Sequence, residues 1–267
     1  MSSTVTKALG LLEYFSEEEP EFGLSELTRR SGVDKAAVHR MMNAMAESGL
    51  VEQQVDTRMY RLGAGVLRLA RVRETAFPIG SIVHPILDGL SQETGETAHA
   101  SLVSGRSLAN IGTSESKKGN RVSLVAGEVL PFHSTASGLA TMAFGDPKLM
   151  TRVLSGPLLA RTAHTVTDPD ELRARVQSVQ KIGFAESDHT NEEDVHGIAA
   201  PLFDRMGQAC GAVSVSTPSH RMTEAQRNLT IAAVMTAAQT ITAGMGGQPS
   251  RAYGAMAARV MEDLGLQ

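Results

Sequence analysis

Residues 24–49 decide the fold of the N-terminal part of the chain and read Leu-Ser-Glu-Leu-Thr-Arg-Arg-Ser-Gly-Val-Asp-Lys-Ala-Ala-Val-His-Arg-Met-Met-Asn-Ala-Met-Ala-Glu-Ser-Gly. The pattern predicts two helices joined by a tight turn, because Gly32 suits a left-handed helix end and Asp34 suits an N-cap. Ser25 is the expected N-cap of the first helix, and the second is predicted to end near Ser48. An apolar stripe at helical spacing in the second helix contains Val38, Met41, Met42 and Met45.

A short hairpin is predicted after these helices, with strands at residues 50–55 and 58–62 around a turn at Asp56-Thr57. Two helices followed by such a hairpin are typical of a winged helix-turn-helix domain. The helix face opposite the apolar stripe contains Arg40 and Asn43, whose side chains can donate hydrogen bonds to base edges. The residues expected to contact DNA are Ser25, Lys35, Ala36, Ala37, His39, Arg40, Asn43, Arg58 and Arg61. The alternative interpretation is a helical pair used only for protein contacts.

This stretch resembles the DNA-binding half of the IclR family of bacterial transcription regulators. The resemblance rests on residues 25–40, on Gly-Leu-Val-Glu at residues 49–52 and on Tyr-Arg-Leu at residues 60–62. The family usually has Ser-Thr where this chain has Ala36-Ala37, so two hydroxyl groups are missing from the helix face. The resemblance implies a double-stranded DNA operator as partner.

The composition is typical of a protein that folds inside the cell. The chain has 267 residues, of which 42% are hydrophobic, and this supports packed cores. The single cysteine, Cys210, has no second thiol for an internal disulfide, and we therefore expect a cytoplasmic protein. No apolar run approaches the roughly 20 residues of a membrane span, and no signal peptide is recognisable, so we expect no membrane partner.

Charge argues mildly against nucleic acid as a partner, since the net charge is −4 and the first 65 residues contain seven basic and ten acidic side chains. The distribution of charge argues the other way. Residues 17–21 hold four acids, whereas residues 35–46 hold none. The electrostatic field of this charge distribution would hold DNA only weakly in a monomer. We therefore expect a dimer or tetramer that binds two half-sites.

The whole chain predicts an α+β protein in four segments. These are a winged helix-turn-helix domain at residues 1–63, a connector helix at 64–80, a C-terminal α/β effector-binding (GAF-like) domain at 81–244 and a tail at 245–267 that can form a further helix. Other helices are predicted at residues 4–16, 81–92, 135–144, 148–154, 168–182 and 223–243, and strands at 97–103, 107–113, 122–125, 198–203 and 209–216. Apolar residues left over on the connector favour a dimer contact, and packing within its own domain is an equal alternative.

The C-terminal half extends the resemblance, which then covers about residues 4–243. Its motifs are Thr94–His99, Leu130–Ala140, Gly197–Asp204 and Val213–Ser216, in the order that the family has them. The resemblance implies an effector pocket lined by Ser214 and Ser216, by residues 187–188 and 197–198, and by the helix start after Pro131.

A ligand site in this half is also predicted from the residues themselves, without the resemblance. Hydroxyl side chains cluster at a helix start near Ser134. The free backbone N–H groups and the positive end of the helix dipole at such a start attract a carboxylate. The alternative is that Ser134 is only an N-cap and that the strand serines satisfy local hydrogen bonds. With apolar lining, the expected ligand is a small organic acid. The candidate effector residues are Leu102, Ile111, His133, Ser134, Thr135, Ala136, Gly138, Leu139, Ser187, Asp188, Gly197, Ile198, Ser214 and Ser216.

Enzyme motifs are weak. The stretch Ser114-Glu115-Ser116-Lys117 fits a Ser-x-x-Lys pattern, but no Lys-Thr-Gly follows, and neither a nucleophile elbow nor a Walker A loop is present. His189 and His196 lack a standard metal-ligand spacing. We therefore expect neither a catalytic site nor a cofactor or metal. The alternative function is a ligand-binding oligomerisation module that does not bind DNA.

Overall fold

A computed structural model describes residues 4–16, 19–76, 78–124 and 128–265 of the chain. The chain divides into two compact units, residues 1–78 and residues 79–267, and each has its own hydrophobic core. The predicted α+β fold is confirmed, because both units combine helices with antiparallel strands. Within the described ranges, no helix is long and apolar enough to cross a membrane.

The first unit is a winged helix-turn-helix, as predicted. Its helices are α1 (Thr4–Gly10), α2 (Leu24–Ser31), α3 (Lys35–Glu47) and α4 (Ala64–Ala76), and its strands are β1 (Glu21–Phe22), β2 (Val51–Gln53) and β3 (Tyr60–Leu62). The strands form a sheet in the order β1-β3-β2. All four residues of the predicted apolar stripe on α3 are buried, and they pack with Leu27, Phe22 and Tyr60. Gly32 ends α2 with a φ of 64°, as the sequence predicted.

The prediction that Ser25 caps α2 is wrong. Gly23 occupies the N-cap position, and its carbonyl accepts the N–H groups of Glu26 and Leu27, both at 3.1 Å. Leu24 packs against the core of this unit, so the chain enters the helix one residue before the serine. Ser25 is therefore an exposed residue of the first helical turn.

The predicted helix over residues 4–16 is interrupted. Helix α1 ends at Gly10, and a 3-10 turn follows at Leu12–Tyr14. The interruption changes which apolar residues face the core, because the helical spacing does not continue past Gly10. Leu11 is buried, whereas Val5 and Leu9 are 66% and 52% exposed.

The second unit contains an antiparallel sheet of six strands in the order β6-β5-β4-β9-β8-β7. Its strands are β4 (Thr97–Ser104), β5 (Ser107–Ser114), β6 (Val129–Leu130), β7 (Ala185–Asp188), β8 (Val195–Phe203) and β9 (Ala209–Pro218), and its helices are α5 (Ile79–Thr94), α6 (Ala136–Phe144), α7 (Pro147–Leu154), α8 (Pro169–Ile182), α9 (Glu224–Gly244) and α10 (Arg251–Asp263). Helices α5 and α9 pack on one face of the sheet, and α6 packs on the other together with α7 and α8.

The strand predicted at residues 122–125 is not formed over its described part, and Val125 lies outside the described residues. Val122 and Leu124 are buried, which explains the strand-like alternation of the sequence. The carbonyl of Val122 accepts a hydrogen bond from the Thr97 hydroxyl at 2.6 Å, so a side chain takes the place of a strand partner here.

The tail forms helix α10, as the sequence allowed, and the helix packs on its own unit. Tyr253 is 5% exposed, and its hydroxyl donates to the carbonyl of Gly183 at 3.0 Å. Its ring packs with Phe144 and Phe203 at centroid distances of 4.9 and 4.7 Å. The helix therefore extends the core that α5 and α9 form.

Glu96 is a buried carboxylate beside the start of β4, with only 1% of its side chain exposed. Arg221 contacts both its oxygens, at 2.8 and 2.6 Å, and the Lys118 ammonium lies 2.8 Å from Oε1. Burial acts to raise the pKa of Glu96, but the hydrogen bonds from Arg221 and Lys118 outweigh it and hold the pKa below its ordinary value. This cluster joins residues that are far apart in the sequence.

We expect Glu96→Gln to lower the free energy of unfolding by about 3 kcal/mol, because Arg221 would lose its charged partner. Glu93→Gln, at an exposed position in α5, should change it by less than about 0.5 kcal/mol. Urea unfolding of the full chain at pH 7 measures both variants.

The contribution of Glu96 to the free energy of unfolding depends on pH in a definite direction. Since folding lowers the pKa of Glu96 from an ordinary value of 4.5, its stabilisation is complete above that pH and is lost as the pH falls below it. The difference in the free energy of unfolding between Glu96→Gln and the wild type should therefore shrink towards pH 3. Equal unfolding midpoints for the two variants at pH 7 would contradict the stabilising role of Glu96.

Candidate functional site

Helix α3 presents a polar face to solvent, and its residues 35–46 contain no acid, whereas Glu47 is exposed at its last position. Asp34 fixes the start of the helix, because its carboxylate accepts the N–H groups of Ala36 and Ala37 at 2.9 and 3.2 Å. Ala37 is half-buried against the core, so it lies at the edge of this face. The exposed residues of the face are Lys35, Ala36, His39, Arg40 and Asn43.

The wing places the two predicted arginines differently. Arg58 is exposed in the loop between β2 and β3, with a φ of 58°. Arg61 lies within β3, and its guanidinium contacts the Glu52 carboxylate at 2.5 Å. The turn is longer than predicted, since the strands end at Gln53 and begin again at Tyr60. Among the described residues, Arg58 is in no ion pair, whereas the charge of Arg61 is balanced by Glu52.

Two other cations of this unit, Arg29 and Arg30, are paired with acids. Arg30 contacts Glu19 at 2.6 Å and Glu26 at 2.7 Å, and Arg29 contacts Glu26 at 2.5 Å. The hydrogen bonds from Arg29 and then from Arg30 lower the pKa of Glu26 to about 2. Among the described residues, none forms an ion pair with Arg40. The charges of Glu19 and Glu26 are thus balanced locally, and Lys35 and Arg40 give residues 35–46 of α3 a positive charge.

The second unit contains a cavity of about 40 Å³ between the sheet and the start of α6. Its lining is mostly small and polar, and among the described residues it includes neither Lys nor Arg. The lining residues are His99, Leu124, Leu130, Thr135, Ala136, Ser137, Ser187, Asn191, Glu192, Val195, Gly197, Ser214 and Ser216. The volume corresponds to about one or two water molecules.

The start of α6 is fixed by local hydrogen bonds. The Thr135 hydroxyl accepts the N–H of Gly138 at 3.0 Å and donates to the Pro131 carbonyl at 2.6 Å. A loop after β7 is tied to the same segment, since the Ser134 hydroxyl donates to Asn191 Oδ1 at 2.9 Å and the Thr190 hydroxyl donates to the Ser134 carbonyl at 2.7 Å. The loop therefore brings Asn191 to the cavity.

The sheet side of the cavity comes from alternating positions of neighbouring strands. Gly197 lies opposite Ser216 across β8 and β9, and Ser187 lies opposite Gly197 across β7 and β8. A Cβ atom on Gly197 would lie 2.8 Å from the Ser187 hydroxyl, so glycine keeps this space open. The Ser214 hydroxyl donates to the Ile198 carbonyl at 2.9 Å, so this serine makes a local bond and also lines the cavity.

The structure brings six of the predicted effector residues to the cavity, namely Thr135, Ala136, Ser187, Gly197, Ser214 and Ser216. It places the other eight elsewhere. Leu102, Ile111 and Ile198 belong to the core on the opposite face of the sheet, and Leu139 belongs to the core around α6. Ser134 is fully buried beside Asn191.

The remaining three predicted effector residues have other contacts. Nε2 of His133 lies 2.9 Å from the Leu159 carbonyl, in a separate groove. Gly138 is a packing position, because a Cβ atom there would lie 2.1 Å from the Phe132 carbonyl oxygen. Asp188 is exposed and lies 2.7 Å from Nδ1 of His189.

The remaining lining residues, among them His99, Ser137 and Asn191, are not among the effector residues predicted from the sequence. A signal for His99 exists, since it stands between Ala98 and Ala100 in a strand whose alternate residues face the apolar core. Asn191 has no such signal, because only the folded loop places it beside α6.

The polar atoms of the cavity are incompletely paired. Nδ1 of His99 and Oγ of Ser137 are buried and have no hydrogen-bond partner among the described residues. Burial lowers the pKa of His99 to about 4, so its ring is neutral at pH 7. Unpaired buried polar atoms cost stability, and a bound polar ligand would supply the missing partners.

Chemistry outside the cavity is limited. Burial raises the pKa of the Cys210 thiol to about 11, which leaves little thiolate for nucleophilic attack at neutral pH. The Ser114 hydroxyl donates to Asp88 at 2.7 Å, in contact with an acid rather than with Lys117. Within the described ranges, no cluster of three His, Cys, Asp or Glu side chains is positioned to hold a metal ion.

The two units match known families over most of the chain. Residues 4–55 match the IclR helix-turn-helix domain, and residues 75–243 match the bacterial transcriptional regulator IclR C-terminal family. The chain belongs to the IclR family. IclR-family proteins are DNA-binding transcription regulators with a C-terminal effector-binding domain, and relatives with assigned roles agree with this.

The chain is 31% identical over 246 residues to the HTH-type transcriptional regulator KdgR of Escherichia coli, covering 91% of this chain and 93% of KdgR. It is similar to the crystal structure of an IclR transcriptional regulator from Silicibacter sp. TM1040, with a TM-score of 0.87, 43% identity and coverage of 94% and 99% of the two chains. An IclR homolog from Microbacterium hydrocarbonoxydans, crystallised with 4-hydroxybenzoate, has the same fold, with a TM-score of 0.70, 24% identity and coverage of 91% and 99%.

Two neighbouring hydroxyls at the start of α6 should respond oppositely to removal in this IclR-family protein. Thr135→Ala should lower the free energy of unfolding by about 1–2 kcal/mol, because the helix loses its N-cap. Ser137→Ala should leave it unchanged or raise it by up to about 1 kcal/mol, because the lost hydroxyl is buried and unpaired. Urea unfolding of the full chain compares the two variants. A larger loss for Ser137→Ala than for Thr135→Ala would contradict the unpaired state of this hydroxyl.

Proposed function

We propose that this IclR-family protein is a homo-oligomeric regulator that acts in the cytoplasm and whose affinity for a DNA operator changes when a small organic acid binds in the second unit. The observation that carries the DNA-binding part is the exposed polar face of α3, which has no acid between Lys35 and Ala46. The cavity with unpaired polar atoms beside α6 supports the ligand part.

Operator recognition is assigned to α3 and the wing. Arg40 and Asn43 are exposed at neighbouring turns of the helix and can donate to base edges in the major groove. Lys35 at the helix start and Arg58 in the wing suit phosphate contacts that set the register. Arg61 contributes less than the sequence suggested, because its charge is shared with Glu52.

Two copies are proposed because, among the described residues of α3 and the wing, the cations without an ion pair are Lys35, Arg40 and Arg58. Helix α4 exposes Leu67, Leu69 and Val72 by 74%, 48% and 58%, and the same unit exposes Val5 and Leu9. Exposed apolar residues on two helices of one small unit are typical of a contact with a second copy. A dimer would place two α3 helices on two half-sites.

Duplexes selected from a random library by the purified protein should therefore contain an inverted repeat.

The ligand is assigned to the cavity lined by Ser187, Ser214 and Ser216. The hydroxyls and the positive end of α6 suit a carboxylate head group. The available space of about 40 Å³ accommodates little more than that group. A larger acid, such as the 4-hydroxybenzoate bound by the homolog from Microbacterium hydrocarbonoxydans, would have to displace parts of the lining.

That displacement supports coupling between ligand and DNA. A ligand that fits only a widened cavity binds one conformation better than another, and it therefore shifts the population between the two. Such couplings are typically about 1–3 kcal/mol. We propose that the connector helix α4 transmits the shift to the spacing of the two α3 helices.

Arg40→Ala should weaken binding to a selected duplex by about 1–3 kcal/mol, because a donor to base edges is lost. Arg173→Ala is the control, since it removes the same charge from an exposed position in the second unit. A gel-shift titration at two salt concentrations measures both. Equal midpoints for the two variants would remove Arg40 from the interface, and wild-type protein without salt-dependent DNA binding would favour the oligomerisation module.

A titration with 4-hydroxybenzoate, benzoate and acetate should shift the DNA-binding midpoint by about 5- to 150-fold for any acid that binds. Gly197→Ala should abolish the shift, because the added Cβ atom occupies the space beside the Ser187 hydroxyl. Its urea midpoint checks that the variant is folded. An acid that binds by calorimetry and leaves the DNA midpoint unchanged would refute the coupling.

A further inference from the structure

His99 is the basic side chain of the cavity. It lies in β4 between Thr113 of β5 and Ser214 of β9, and it is 4% exposed. Its Nδ1 has no hydrogen-bond partner among the described residues, and neither has Oγ of Ser137 across the cavity. The ring thus offers a polar atom that the folded chain leaves without a partner.

The surroundings of His99 contain little charge. Thr113, Ser214 and Ser137 face it from β5, β9 and α6, and none of them ionises in the ordinary pH range. From the loop after β7, Glu192 lines the cavity and is itself exposed to solvent. Burial holds the pKa of His99 at about 4, so the ring is neutral at pH 7.

A carboxylate entering this cavity would meet neither Lys nor Arg among the described lining residues. Burying an unpaired carboxylate is costly, and the acidic Glu192 in the lining adds repulsion. Hydroxyl donors offset part of that cost. A single proton offsets more, because it converts the neutral imidazole into the counter-ion that the site lacks.

We propose that His99 takes up a proton from solution as a carboxylate ligand binds, so that the complex contains an imidazolium–carboxylate pair. The inference rests on the proposed function of the cavity as the effector site and adds the proton as a second ligand. The proton comes from water or buffer and ends on the His99 ring, and no covalent bond of the ligand changes. Ligand binding is therefore linked to pH.

The same arrangement selects the class of acid. One imidazolium balances one negative charge, so a monocarboxylate leaves the pair neutral. A dicarboxylate or a phosphate ester would place a second charge near Glu192 without a counter-ion. The site therefore favours monocarboxylates over dianions of similar size.

The direction of the pH effect follows from where the proton sits. Above pH 5 the free imidazole and the free carboxylate are both deprotonated, whereas the complex holds one proton. Affinity is therefore highest at low pH and falls as the pH rises, by up to about tenfold per pH unit. Amide analogues carry no charge, and their affinity should not depend on pH.

The test is isothermal titration calorimetry on the full chain with acetate, benzoate and 4-hydroxybenzoate, and with 4-hydroxybenzamide as the uncharged analogue. Between pH 5.5 and pH 6.5, the Kd of an acid that binds should rise at least fivefold. Comparison of MES and bis-Tris buffers at pH 6 should give an uptake close to one proton per ligand.

Two variants assign the proton to His99. His99→Asn keeps a polar side chain that cannot titrate, and its Kd should change less than twofold between pH 5.5 and pH 6.5. His220→Asn, at an exposed position after β9, should behave like the wild type. If His99→Asn fails to fold, the wild type is measured instead by NMR of its ¹⁵N-labelled imidazoles at pH 6. The signals of one buried ring should then show protonation when the ligand is added.

The outcomes separate this inference from the proposed function. Binding without proton uptake, or a pH dependence that persists in folded His99→Asn, would overturn the role of His99 and leave the effector site intact. Absence of binding by every carboxylate would overturn the proposed ligand class and the role of His99 together. Tighter binding of succinate than of acetate would overturn the preference for monocarboxylates.

Discussion

The second unit depends on the two-residue alternation of its central strands. Val213 and Val215 of β9 face the helices α5 and α9, while Ser214 and Ser216 between them face α6. The neighbouring strands follow the same rule, since His99 pairs with Ser214 and Gly197 pairs with Ser216. One face of the sheet is therefore an apolar core and part of the other is a polar cavity. A shift of one residue in register would exchange the two faces, so packing of the core fixes the position of the site.

The first unit solves a different problem, because it is acidic overall and yet must approach a polyanion. Glu26 is held by Arg29 and Arg30 within α2, and Glu52 is held by Arg61 in the wing. Residues 35–46 of α3 contain no acid, so no acid of this stretch opposes the charges of Lys35 and Arg40. The distribution of charge, more than its sum, then decides what the surface can bind. The weak field of one unit supports the proposal that two copies bind DNA together.

The cavity that we propose as the effector site differs from the core around it. In the core, Leu139 and Phe132 pack without space, and a Cβ atom on Gly138 would collide with the backbone. In the cavity, a histidine nitrogen and a serine hydroxyl have no hydrogen-bond partner among the described residues. Unpaired polar atoms reduce the stability of the free protein, and a ligand that pairs with them recovers that free energy. Stability and ligand affinity are therefore opposed at the same few atoms.

Elements with local signals could be predicted from the residues alone. The apolar stripe of α3, the Asp34 cap and the alternation in β9 follow from residues within a few positions of one another. Which of the predicted effector residues meet depends instead on how the strands and helices pack. Leu102, Ile111 and Ile198 have the composition of a pocket wall, but strand register turns them to the other face of the sheet. Asn191 reaches the cavity because a loop bonds to Ser134, 57 residues earlier in the chain. Contacts of this range depend on how several elements pack at once, and no local pattern of residues encodes them.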